Sequence, residues 1–142
     1  MTYTERHLDN FVHSFLQTLL WSTSDNMEGN LDDKYDIEDF GAGAFVWIRK
    51  DCSEFLKLCE TEGYTFTTYL NWYGNEQWSQ LEQAAHDYCL TRNGEGTGFW
   101  DREAETYPDM DLDRLSELAR SRGGVTAYLE DDGRIYVSGM EN

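Results

Sequence analysis

Between Arg6 and Trp21 the apolar residues Leu8, Phe11, Val12, Phe15, Leu16, Leu19 and Leu20 recur at spacings of three and four. That period puts all of them on one face of an α-helix and on no common face of a strand. Thr4 stands where an N-cap is wanted. His7 and His13 fall within the same segment with no paired ligand nearby in sequence, and they read as surface or packing histidines.

The same spacing returns three more times. Phe45, Ile48, Cys52, Phe55, Leu56 and Cys59 predict a second long helix closed by Gly63. Trp78, Leu81, Ala85, Tyr88 and Cys89 predict a third, from Asn75 or Glu76 to about Arg92, ended by Asn93 and Gly94. A fourth, capped by Asp111, carries Leu112, Leu115, Leu118 and Ala119 and stops at Gly123 and Gly124; Arg120 and Arg122 suit its negative end.

After these helices, Val125 to Leu129 and Arg134 to Val137 flank Glu130-Asp131-Asp132-Gly133, a strong hairpin signal. A hairpin alone is marginal, so this one must pack on helices or pair with another strand. The aromatic run Tyr64 to Trp78 has no clear period; its rings are expected in the core, and it reads as an irregular segment or a short helix, or as a source of extra strands. The expected fold class is α+β: about four helices packed with a small antiparallel sheet that includes a C-terminal β-hairpin. With one proline, Pro108, and no repeat or low-complexity tract, residues 1–142 read as a single domain.

Composition bounds the function. Eleven Lys and Arg stand against 28 Asp and Glu, a formal charge of -17, yet 15% of the residues are aromatic, so the chain is expected to fold rather than behave as an acidic tail. Its field repels phosphate and attracts basic surfaces, which argues against direct nucleic-acid binding. Cys52, Cys59 and Cys89 are odd in number, and the first two lie two helical turns apart; reduced core thiols are expected. No basic start leads into an apolar run and no apolar stretch approaches membrane-spanning length, so a cytosolic location with no membrane partner is expected.

Three constellations invite chemistry. Gly94-Glu95-Gly96-Thr97-Gly98 looks like a phosphate loop, but it follows a helix, where such loops follow a strand, and it carries Glu95. A tight connection turning Phe99 and Trp100 back into the core is expected instead. Asp109-Met110-Asp111-Leu112-Asp113 opens like a calcium loop, yet Arg114 and Arg120 occupy the positions that need glycine and a bidentate glutamate. His86, Asp87 and Asp101 would assemble a metal or acid–base group only without the spacing that zinc sites use, and no serine or cysteine sits in a nucleophile elbow. The chain is not expected to be an enzyme or to hold a metal or cofactor.

The run from His86 to Asp101, His86-Asp87-Tyr88-Cys89-Leu90-Thr91-Arg92-Asn93-Gly94-Glu95-Gly96-Thr97-Gly98-Phe99-Trp100-Asp101, resembles the HDxxLTRNGxGxGFWD signature of small proteins encoded by bacteriophages and other mobile elements. Such proteins often continue into a helix and a terminal hairpin like Leu112 to Tyr136, so the resemblance covers the C-terminal half. It implies a phage-associated origin. Where the family often has a second histidine, this chain has Glu95, which weakens a catalytic or metal pair built on His86. The motif residues His86, Asp87, Arg92, Asn93, Gly94, Gly96, Gly98, Phe99, Trp100 and Asp101 are structural or functional candidates, and the Asn93 side chain with the glycines can make the motif a structural lock between the third helix and Trp100.

Two functions are consistent with these features. In the first, a phage-encoded acidic inhibitor of antirestriction or anti-CRISPR type binds a basic, nucleic-acid-handling host protein. Its carboxylates would stand in for the phosphates that DNA presents every ~1.7 Å of duplex axis. The candidate contact residues are Asp25, Glu28, Asp32, Asp33, Asp36, Glu38 and Asp39, and Asp101, Glu103, Glu105, Asp109, Asp111 and Asp113. In the second, acidity serves solubility and an aromatic patch around Trp72, Tyr73 and Trp78 meets the partner.

Overall fold

The structure, a computed structural model, describes residues 3–23, 30–70, 78–95 and 98–138. The fold is α+β. Four helices, α1 (Glu5–Ser22), α2 (Ala42–Thr61), α3 (Gln80–Arg92) and α4 (Leu112–Ser121), precede a two-stranded antiparallel sheet of β1 (Ala127–Leu129) and β2 (Ile135–Val137). Short 3-10 turns lie at Leu31–Asp33, Ile37–Asp39, Phe99–Asp101 and Ala104–Thr106. Among the described residues, no helix is long and apolar enough to cross a membrane.

Helix α1 starts where its cap places it. Thr4 Oγ1 accepts from His7 N–H at 3.1 Å, and His7 Nδ1 accepts from Thr4 N–H at 3.1 Å, so His7 completes a capping box. The whole apolar stripe from Leu8 to Leu20 is buried, and α1 lies along α3 and α2. Helix α2 buries Ile48, Cys52, Phe55, Leu56 and Cys59 and ends at Gly63, whose φ of 81° satisfies a left-handed C-terminal cap. All three cysteines are free and buried, and burial pushes the thiols up, Cys59 and Cys89 to about 12.

Helix α3 departs from expectation at its start. Ser79 is its N-cap, with Glu82 returning the capping-box bond, so Trp78 lies outside the helix and 40% exposed. The pattern Ser79-x-x-Glu82 outweighs the aromatic spacing on which a start at Asn75 or Glu76 rests. The aromatic middle also divides. Phe66 is buried and Tyr64 half-buried, whereas Tyr69 and Leu70 are exposed, so burial there is partial. No strand forms in this stretch among the described residues, and Trp72 and Tyr73 lie outside them. Gln80 holds the segment instead: its Oε1 accepts from Thr67 N–H at 2.8 Å while its Nε2 donates to Thr106 O at 2.9 Å.

The hairpin pairs Ala127 with Val137, Tyr128 with Tyr136 and Leu129 with Ile135. It escapes the instability of a lone hairpin in both ways open to it. Ile135 forms a parallel bridge with Phe40, and Gly41 N–H donates to Ile135 O at 2.9 Å. Residues Ile135 and Val137 are fully buried against the helices. A Cβ at Gly41 would stand 2.6 Å from the Tyr136 ring, so a side chain there would displace that ring.

Aromatic rings occupy the centre of the core. Phe55 and Tyr88 stack with centroids 3.8 Å apart and planes 7° from parallel; Phe11, Phe15 and Phe99 pack on one or both of them, and Tyr107 packs on Phe99 in turn. Each such pair adds about 0.5–1.5 kcal/mol beyond the area it buries.

Candidate functional site

The His86–Asp101 run brings its chemistry-bearing side chains to separate places. Asp87 is fully buried, and its carboxylate accepts from Arg102 Nε at 3.0 and 3.1 Å, Arg102 Nη2 at 2.8 Å, Tyr107 Oη at 2.5 Å and Gln83 Nε2 at 3.1 Å. With both oxygens so committed, Asp87 is a structural acceptor. His86 turns the other way: its Nδ1 lies 3.0 Å from Thr18 Oγ1 and its ring 5.8 Å from that of Trp21. Asp101 is exposed. The metal or acid–base grouping of these three residues is not assembled, and no group of three or more metal-ligating side chains occurs among the described residues.

Arg92 carries the second buried network. Its Nη1 donates to Asp51 Oδ2 and, at 2.7 Å, to Tyr88 Oη; Nε donates to Gly123 O at 2.7 Å and Nη2 to Arg122 O at 2.9 Å. Tyr88 Oη donates to Asp51 at 2.7 Å, and Arg122 Nη2 reaches the other carboxylate oxygen at 2.8 Å. The guanidinium also lies over the Tyr88 ring, 4.8 Å from its centroid.

The remaining motif residues close the lock. Gly94 has φ 66° at the end of α3, and Asn93 Oδ1 accepts from Val125 N–H at 2.7 Å, tying α3 to the start of the hairpin. Thr91 Oγ1 accepts from Phe99 N–H at 3.0 Å. Phe99 enters the core as expected, but Trp100 is 49% exposed. Successive residues of a 3-10 turn point about 120° apart, so the turn that buries one ring expels the next. Gly96 lies outside the described residues.

Gly98 tests this lock. A Cβ there would fall well inside contact distance of Thr91 Oγ1 and 3.1 Å from Thr91 Cβ. Gly98→Ala is expected to cost about 1–3 kcal/mol in urea unfolding, as overpacking does. An unchanged midpoint would mean that the connection is not tight.

The acidic residues meet a different fate. Asp25 and Glu28 lie outside the described residues. Asp32, Asp33, Asp36 and Glu38 are exposed and Asp39 half-buried. Several are held by their own turns: Asp33 accepts from Asn30 N–H at 3.1 Å, Asp36 from Ile37 N–H at 2.6 Å, and Asp39 from Asp36 N–H at 2.8 Å. Asp101, Glu103, Glu105, Asp109, Asp111 and Asp113 are all exposed. Asp111 spends its carboxylate on the α4 N-terminus, accepting from Asp113 N–H at 2.9 Å and Arg114 N–H at 3.3 Å. The two stretches are seated on different elements, the first on α1 and the hairpin, the second on α3 and α4.

The hairpin turn joins the first acidic stretch only through the fold. Arg134 Nη1 donates to Glu38 O at 3.0 Å, which brings Glu130-Asp131-Asp132 beside the turn at Ile37–Asp39. Beside them lies a cleft of about 690 Å³ lined by the apolar residues Ile37, Phe40, Phe45 and Val46 and by Glu38, Asp132 and Arg134, among others. Val46 is 66% exposed there. Tyr136 Oη donates to Asp132 at 2.6 Å and Arg134 N–H at 2.8 Å, and these bonds hold the Asp132 carboxyl below its ordinary range. The carboxylates of the turn are plain in the sequence; nothing local there says what they face.

A second cleft, of about 400 Å³, opens between α1 and α3 and is lined by Thr18, Trp21, Asp32, Trp78, Glu82 and His86 among others. Burial lowers the pKa of His86, opposed by the Asp87 charge. The unfolded imidazole therefore takes up its proton first as pH falls, and the fold loses stability across a window that opens near about 6.5 and runs down to the folded value. Wild type is expected to lose stability relative to His86→Gln between about pH 7 and pH 5, by less than about 1.4 kcal/mol per pH unit. Parallel urea-unfolding curves for the two proteins across that range would contradict it.

Comparison with protein-family models, with curated proteins and with solved structures gives no match to this chain.

Proposed function

We propose that the chain is a protein-binding inhibitor, carried by a phage or similar mobile element, that occupies the nucleic-acid-binding surface of a basic host defence protein of restriction or CRISPR type. The observation that carries this reading is that two acidic segments distant in sequence meet at one largely apolar cleft, the first through Glu38 and the second through Asp132. An apolar centre ringed by charged groups is the anatomy of a protein interface. A charge of -17 steers such a surface onto a positive one. Carboxylates held by their own turns offer fixed charge at little further entropic cost, as phosphates on a duplex do.

The test is capture of partners by the tagged chain from nuclease-treated bacterial lysate across a salt series. A retained nuclease, restriction enzyme or CRISPR effector that is released as salt rises is the expected result. The double change Glu38→Lys, Asp131→Lys spares the turn caps and is expected to slow association at low salt several-fold or more. Retention that ignores both salt and charge reversal would refute the inhibitor reading.

A second reading gives the contact to exposed aromatics and leaves acidity to solubility. Its support is that Trp21 (50% exposed) and Trp78 (40%) open onto one cleft. It expects salt-tolerant binding that Trp78→Ala weakens by more than ~1 kcal/mol.

A further inference from the structure

We propose that the cleft between α1 and α3 is an arginine-accepting slot, in which a guanidinium from a basic partner lies against the indoles of Trp21 and Trp78 and pairs with Asp32 and Glu82. This rests on the reading of a basic protein partner and names one way in which that partner is gripped. The cleft, about 400 Å³, is large enough for a long side chain. Its two tryptophans come from separate parts of the chain, Trp21 from α1 and Trp78 from just before α3, and both are substantially exposed, whereas the phenylalanines at the centre of the core are fully buried. Trp78 Nε1 donates to Gln83 Oε1 at 3.2 Å, and the Trp21 ring rests against His86, itself held by Thr18, so both indoles are positioned before any ligand arrives.

The charges point to a cation. Asp32 is exposed at the cleft. Glu82 gives Oε1 to the Ser79 N–H and hydroxyl, each at 3.1 Å, and keeps Oε2 for an incoming donor. The third titratable group, His86, is kept neutral by its burial and does not oppose a positive ligand. Indole faces attract cations, and tryptophan does so best among the aromatic side chains. Arginine fits better than lysine because its guanidinium is flat, stacks on rings, sheds water more readily and offers several donors to two carboxylates.

The experiment uses the full chain and N-acetyl-arginine amide as the probe, followed by NMR of the indole Nε1–H signals at low salt, assigned with Trp21→Phe and Trp78→Phe. Saturable shifts of those two signals are expected. The neutral isostere N-acetyl-citrulline amide should bind about tenfold more weakly or worse, and N-acetyl-lysine amide more weakly than arginine. Asp32→Asn alters an exposed side chain and is expected to weaken arginine several-fold, and Trp78→Leu about tenfold, with the other indole signals unmoved. Absence of saturable shifts, equal response to citrulline, or indifference to Asp32→Asn overturns the slot. If arginine amide fails while salt-sensitive capture persists, the slot is wrong and the inhibitor reading stands. If arginine amide binds as expected and no basic protein is captured, the slot stands and the inhibitor reading falls.

Discussion

Arg92→Met is expected to destabilise the chain by about 3–5 kcal/mol, because it leaves the Asp51 carboxylate buried without its main partner. Arg92 is 5% exposed and Asp51 4%, so water does not replace the lost bonds. Several groups would be left unpaired at once: Tyr88 Oη loses a donor, and the carbonyls of Gly123 and Arg122 lose theirs. Arg122 keeps one carboxylate oxygen company from a half-buried position, which moderates the loss. The measurement is chemical unfolding, with a melting point lower by about 10 °C or more as a second readout. Arg92→Lys retains the charge but lacks the fork that serves four acceptors, and should recover only part of the loss. The double change Asp51→Leu, Arg92→Met should be milder than the sum of the single ones, because it removes both buried charges. A single-mutant cost below about 1 kcal/mol would show that Arg92 does not hold the centre of the fold.

Asp87→Ala is the other large effect, at about 3–5 kcal/mol. The residue is fully buried, and it satisfies a bidentate Arg102, the Tyr107 hydroxyl and Gln83 at once. Removing it orphans a fully buried phenol whose ionisation burial already pushes well above its ordinary value, so the phenol cannot answer by ionising. Tyr107→Phe removes one bond only and is expected to cost about 1–2 kcal/mol. Asp87→Asn, close in shape but without charge, should fall between the two. If Asp87→Ala and Tyr107→Phe were equally mild in urea unfolding, the carboxylate would be a passenger in the core. The two networks give several polar residues of the run from His86 to Asp101 structural partners. Its polar residues join α3 to α1, α2, α4, the 3-10 turns and the hairpin.

Much of the fold was legible in the chain itself. The seven-residue stripe of α1 needs only a helical period to be read, and Thr4, Asp111, Gly63, Gly94 and Gly123 mark ends by chemistry that acts within a few residues. The hairpin is equally local, its DG turn between two short β-favouring runs. Where local signals compete, the reading slips. Aromatic spacing around Trp78 suggests a helix already under way, and the capping box at Ser79 decides otherwise. Trp100 and Tyr69 are large aromatics like Phe99 and Phe66, yet only the latter two find room in the core.

The candidate sites divide on the same line. Composition and the local pattern determined the acidity, the free thiols, the four helices and the absence of a recognised catalytic spacing. Tertiary structure alone decided that Asp87 and Asp51 are interior anchors rather than surface charges, that the turn at Glu130 to Asp132 meets the turn at Ile37–Asp39, and that Trp21 and Trp78 open onto one cleft. The physical reason is range. Helical period, caps and turns are set by residues three or four apart, whereas a carboxylate's role is set by the guanidinium or hydroxyl that packing brings to it from many residues away, and the sequence near the carboxylate carries no trace of that choice.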